Sequence, residues 1–134
     1  MANPSVTKVF HAARQDIEIF HRLMGKTPTS VFDTQIAAMV CGFGDQIGYD
    51  KLVAAVAHQK IDKGPRFTNW AERPLSDEQL FYALSDVTHL CVVYERLLKM
   101  LETQSRTNWA LEEQESLVDS KTYETDPENA WKRL

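Results

Sequence analysis

The sequence predicts a helix-rich α/β chain with a few short strands. The alternating run Thr7 to His11, which contains Val9 and Phe10, reads as a strand that passes directly into helical periodicity. A second apolar pair, Val31 and Phe32, follows a Thr-Pro-Thr loop at residues 27–29 and repeats the strand-to-helix order. The strongest signal is helical: Leu80, Leu84, Val87, Leu90, Tyr94, Leu97 and Leu101 recur at intervals of three and four.

In chain order, the first helix is expected from about Ala12 to Met24, with Ile17, Phe20, Leu23 and Met24 as its apolar stripe and Gly25 as its stop. Asp33 is placed to cap a helix through Thr34, Ile36, Ala37, Met39 and Val40, and Gly42 beyond its end supplies the left-handed residue that closes many helices. Gly42 to Asp45 reads as a turn, and Asp50 to His58 repeats the helical pattern through Leu52, Val53 and Val56. The long polar stretch from Lys60 to Pro74 is expected to be an ordered loop over a functional face, because it carries aromatics as well as charge. Ser76 and Gln79 then have capping-box spacing, with Leu75 set to staple against Leu80, so a long helix is expected to about Glu102. Beyond Gln104 the chain turns polar; Asn108 to Val118 reads as one more helix and Asp126-Pro127-Glu128 as the start of a last turn.

At 134 residues, 43% hydrophobic and 25% charged, the chain fits one domain with a small core. The formal net charge of −4 disfavours a broadly basic nucleic-acid coat, while a local Lys and Arg cluster can still meet phosphate. Cys41 and Cys91 are far apart and lie in apolar, helical segments, which predicts buried free thiols. The amino terminus lacks a secretory signal and no 18 consecutive residues are apolar, so a soluble cytoplasmic protein without membrane contact is expected.

Several side chains are candidates for chemistry, each with a plainer reading beside it. Asp16 falls on the angular sector of Phe20 and Leu23, which predicts an inward carboxylate; the plain reading is stabilisation of a helix start. Tyr82 and Asp86 are four apart and share a helix face, where a carboxylate can hold Mg²⁺ or Mn²⁺ and a phenol can orient water; the plain reading is a solvated face. His11 and His89 are candidates for contact with substrate or metal, or are structural. Lys60, Lys63, Arg66 and Arg73, interleaved with Phe67 and Trp70, form either a phosphate-contacting loop with stacking aromatics or a loop pinned by aromatic anchors.

Residues 8–18, Lys-Val-Phe-His-Ala-Ala-Arg-Gln-Asp-Ile-Glu, resemble the second motif of ribonuclease D, in the tyrosine-bearing branch of the DEDD exonucleases. Residues 75–87 resemble its third motif, Tyr-x-x-x-Asp, with Tyr82 and Asp86 in place. The stretches Val-Phe-Asp-Thr-Gln-Ile-Ala-Ala and Arg-Phe-Thr-Asn-Trp-Ala-Glu-Arg-Pro-Leu-Ser resemble the family's connecting sequence and come in the same order. The resemblance implies an incomplete ribonuclease H-like exonuclease fold, with Asp16, Tyr82 and Asp86 as catalytic residues and Asp16 and Asp86 as ligands of a two-metal Mg²⁺ or Mn²⁺ site. It further implies that the substrates are RNA 3' ends, tRNA precursors among them, and for such a substrate His11, Lys63, Arg66, Trp70 and Arg73 are the expected nucleic-acid contacts.

The family's first motif, a strand-borne Asp-x-Glu, has no counterpart upstream of the match: Asp33-Thr34-Gln35 lacks the Glu, and Asp126-Pro127-Glu128 lies in a polar tail. By resemblance, residues 1–104 form a partial exonuclease domain, and 105–134 a polar extension of the kind that leads toward helical HRDC domains, none of which is in the chain. Impaired RNA 3'-end trimming is therefore expected, with a homo-oligomer forming through an open sheet edge near Val9. The alternatives are a non-catalytic nucleic-acid-binding or assembly module and a truncated remnant.

Overall fold

Strands β1 (Lys8–Phe10) and β2 (Val31–Asp33) lie parallel, with Lys8 opposite Val31, Val9 opposite Phe32 and Phe10 opposite Asp33. Helix α1 (Arg14–Met24) crosses between them, as parallel strands require. The computed structural model describes residues 1–61 and 64–124, so Lys63 and the Asp126-Pro127-Glu128 turn expected from sequence lie outside the described residues.

Asp33, at the end of β2, organises both helix starts. Its carboxylate accepts from the backbone N–H of Ala12 at 3.0 Å and of Ala13 at 2.7 Å, and also from Gln35 N–H at 2.8 Å. Helix α1 begins two residues later than expected because Ala12 takes a left-handed φ of 57° and Ala13 is its cap, with Asp33 supplying the acceptor that neither alanine has. The same carboxylate caps α2 (Thr34–Val40) as the sequence predicted.

Helix α1 turns inward along Ala13 and Ile17, both fully buried. Asp16 and Leu23, seven residues apart, lie together to one side of that buried face. Leu23 is 78% exposed and Asp16 is exposed as well, which corrects the inward placement expected for that carboxylate.

Helix α3 (Tyr49–Leu52) runs on into a π-helical turn at Val53–Ala57 and stops at His58, whose φ is 56°. Arg96 donates to the Val56 carbonyl in that turn, satisfying a group the irregular helix leaves open. A 3₁₀ turn, Gly64–Phe67, and an exposed loop lead into α4 (Asp77–Thr103). The capping box is formed: Gln79 N–H donates to Ser76 Oγ at 3.2 Å and Ser76 N–H to Gln79 Oε1 at 2.8 Å. Buried Gln79 also donates to Thr68 Oγ1 and to the Asn69 carbonyl, which seats the preceding loop on the helix.

The inward line of α4 is Gln79, Tyr82, Asp86, His89, Val93, Leu97 and Leu101, polar in its first half and apolar in its second. Val93, Leu97 and Leu101 join Phe32, Ala37, Leu52 and Val53 in the main core. The stripe expected from Leu80, Leu84 and Val87 instead faces out, with Phe81 at 75% and Leu84 at 63% exposure. Cys91 lies on that outer face and is exposed, while Cys41 is half-buried, so the expectation of two buried thiols fails for Cys91.

Helix α5 (Thr107–Val118) packs against α2 and β2. Its buried Gln114 pairs with the edge of β2 as another strand would, accepting from Asp33 N–H at 2.8 Å and donating to the Asp33 carbonyl at 3.0 Å. Ala13, Ile17 and Tyr123 make a second, smaller core. No helix among the described residues is long and apolar enough to cross a membrane.

Candidate active site

Tyr82 and Asp86 occupy one face of α4, and the helix presents them with Tyr49, Asp50 and Arg66 on the wall of a cavity of about 340 Å³. Tyr82 also borders a second cavity of about 540 Å³, whose wall includes Asp77, Glu78 and Phe81. Trp70 packs against Tyr82 with ring centroids 5.9 Å apart and holds its own loop by donating Nε1–H to the Arg66 carbonyl. The hydroxyl of Tyr82 meets no hydrogen-bond partner among the described residues and is open to water.

Asp86 is chemically unsettled. Its Oδ1 is buried and has no hydrogen-bond partner among the described residues, an arrangement that is unfavourable for a carboxylate unless a cation meets it. Burial raises its pKa above the ordinary carboxylate value, and the charge of His89 pulls part of the way back. A hard divalent cation fits such an oxygen. Among the described residues, however, no group of three or more His, Cys, Asp or Glu side chains is placed to hold a metal, so Asp86 supplies a ligand and not a cage.

The other residues singled out by sequence divide into two sets. Arg66 reaches the Asp86 cavity, whereas Asp16, His11, Trp70 and Arg73 do not line it. Arg73 donates Nη1–H to the carbonyls of Trp70 and Glu72, each at 2.8 Å, and stays exposed on the loop. Phe67, at 88% exposure, carries the Arg66 guanidinium 5.3 Å from its ring centroid, an open stacking surface beside the cavity.

His11 is held on both ring nitrogens, Nε2 against the Ile47 carbonyl and Nδ1 against Thr34 Oγ1, each at 3.0 Å. Burial lowers its pKa, with Asp33 and the Ile47 carbonyl opposing. These bonds make it a framework residue. Sequence reasoning missed Tyr49, whose hydroxyl donates to the Asp86 carbonyl at 2.6 Å across 37 positions in sequence. No spacing rule links a tyrosine in one helix to a carbonyl in another.

Residues 1–102 match the sequence pattern of a family described as 3'-5' exonuclease. The chain belongs to the 3'-5' exonuclease family. It is 57% identical over 132 residues to ribonuclease D of Jannaschia sp. (strain CCS1), a match covering 98% of the chain and 34% of that protein. The chain thus spans about a third of the length of the curated relatives it matches. Its fold superposes on Escherichia coli RNase D, an exoribonuclease involved in structured RNA processing, with a TM-score of 0.86 and 32% identity, covering 98% of this chain and 35% of that one. Brucella melitensis NrnC with bound Mg²⁺ superposes with a TM-score of 0.68 at 32% identity over 81% of this chain and 52% of that one, and has also been solved bound to pGG. The fold is therefore the helix-rich α/β, ribonuclease H-like exonuclease type that the sequence predicted.

Proposed function

We propose that this chain supplies the second- and third-motif side chains of a ribonuclease D-type 3'-5' exoribonuclease that trims RNA 3' ends in the cytoplasm, with structured RNAs such as tRNA precursors as substrates. The observation that carries this reading is the buried Oδ1 of Asp86, unpartnered among the described residues and one helical turn from Tyr82 on the same cavity wall. Asp86 and Asp16 are the anionic ligands in this reading, and Mg²⁺ or Mn²⁺, when bound, neutralises phosphate charge and activates water. Tyr82 orients the attacking water through its hydroxyl. Arg66 pairs with a phosphate oxygen at the cavity wall, Phe67 and Trp70 offer faces to bases, exposed Arg73 extends the basic loop, and Lys63, outside the described residues, adds a cation to the same stretch of sequence. Both nitrogens of His11 are committed within the protein, so its part is to hold the frame and not to touch RNA.

A second reading, a nucleic-acid-binding or assembly module without turnover, draws on the lack of any three-residue metal cluster among the described residues. The two separate in one assay, Mn²⁺-dependent release of mononucleotides from the 3' end of a single-stranded RNA. The first reading expects slow release that Asp86→Asn and Asp16→Asn each lower by about a hundredfold or more, and Tyr82→Phe by somewhat less. RNA binding with no hydrolysis at any Mn²⁺ concentration supports the second, and robust trimming that survives both aspartate changes defeats the ligand assignment.

A further inference from the structure

Tyr49 lies outside every motif that marks the site, and it is where the motifs are joined. It opens α3, just after Gly48, with its ring half-buried between the β1–α1 turn and α4. On one side it packs against the His11 imidazole, 5.3 Å between centroids, which is itself fixed to Ile47 and Thr34. Gln35 adds a second bond to the Ile47 carbonyl at 3.1 Å, so the segment before Tyr49 is anchored to α2 as well. On the other side the hydroxyl donates to the Asp86 carbonyl at 2.6 Å. That carbonyl already serves the helix ladder of α4, which continues 17 residues further to Thr103, and Tyr49 takes its second lone pair. Burial, with the charge of Asp86 next, pushes the phenol pKa far up, so the group remains a donor at every physiological pH.

Asp86 has no side-chain bond to its buried Oδ1, so nothing among the described residues fixes that oxygen directly. Its position is set by its backbone. We propose that Tyr49 is a positioning residue: through its hydroxyl it holds the Tyr82–Asp86 turn of α4 in fixed relation to the β1–α1 turn, and so sets the Asp86 carboxylate for a divalent cation. Tyr49 matters in this way only if Asp86 is the metal-site carboxylate proposed above. The role resembles that of outer partners that orient metal ligands, except that the bond is to the ligand's backbone and not to its side chain.

Tyr49→Phe keeps the ring against His11 and removes only the O–H. The test is a Mn²⁺ titration of the whole chain followed by paramagnetic broadening of backbone amides around Asp86, which registers sites of millimolar affinity. Tyr123→Phe is the control, since it deletes an equivalent 2.6 Å bond to the Leu117 carbonyl in the second core, away from the residues that line the Asp86 cavity. Tyr49→Phe is expected to raise the Mn²⁺ midpoint about tenfold, the lower end of what lost outer partners cost, while Tyr123→Phe leaves it unchanged at a comparable loss of Tm. An unchanged midpoint in Tyr49→Phe, or an equal shift in Tyr123→Phe, overturns the positioning role. Absence of broadening near Asp86, or broadening that persists in Asp86→Asn, overturns instead the metal-site reading beneath it.

Discussion

At the residue scale, Asp86 carries its charge against its surroundings, and this has a measurable sign. Its folded pKa is raised, so its contribution to stability is fully present below the unfolded value of about 3.9 and is lost as pH rises through the folded value. At neutral pH the metal-free protein is therefore strained by an under-solvated carboxylate. Asp86→Asn is expected to raise Tm in EDTA at pH 7, and the gain should shrink as pH is lowered toward 4. A lower Tm for Asp86→Asn at pH 7 would contradict this. His11 works in a different window: its folded pKa is lowered, so its contribution is present above about 6.5 and is lost as pH falls below that. Removal of a proposed metal ligand that stabilises the fold is the signature of a site that trades stability for function.

At the element scale, the two joints that hold the sheet are single side chains. Asp33 accepts three backbone N–H groups and ties the starts of α1 and α2 to β2, while Gln114 closes the β2 edge with two bonds in a buried setting. Gln114→Ala leaves the N–H and the C=O of Asp33 buried without partners, at about 1–3 kcal/mol each, so a loss of roughly 2–6 kcal/mol is expected in urea unfolding. Asp33→Ala should lose at least as much, because charge-assisted bonds are the stronger kind. A change of under about 0.5 kcal/mol in either variant would show that the strand ends are held by packing alone. The sequence made Asp33 legible as the cap of α2, since an Asp at a strand-to-helix junction is a local signal. Its bonds to Ala12 and Ala13 were not legible, because they close a loop of 20 residues between groups that share no pattern.

At the scale of the whole molecule, the described residues leave apolar surface in water. Leu80, Phe81, Leu84 and Val87 form an outward strip on α4, and within the described sheet β1 pairs with β2 only. Exposed apolar strips and open strand edges both favour association. Light scattering of the 134-residue chain is expected to show mass rising with concentration, and Leu84→Glu to move the distribution toward monomer. A monodisperse monomer at high concentration would count against this.

The sequence by itself determined the element order, the capping box at Ser76, the extent of α4 to within a residue at each end, and the family motifs that place Tyr82 and Asp86 on one helix face. These are local properties, fixed by spacing, capping chemistry and periodicity over a few turns. Which side of each helix faces the core was decided only by tertiary structure. In α4 the apolar stripe of the first half turned out and the polar line of Tyr82, Asp86 and His89 turned in, because the second half is committed to the main core through Val93, Leu97 and Leu101 and a rigid helix carries the rest round with it. The same rule turned Asp16 outward once Ala13 and Ile17 were buried. Tyr49 reached Asp86 for the same reason: its bond depends on how two helices pack, which no local pattern in the chain encodes.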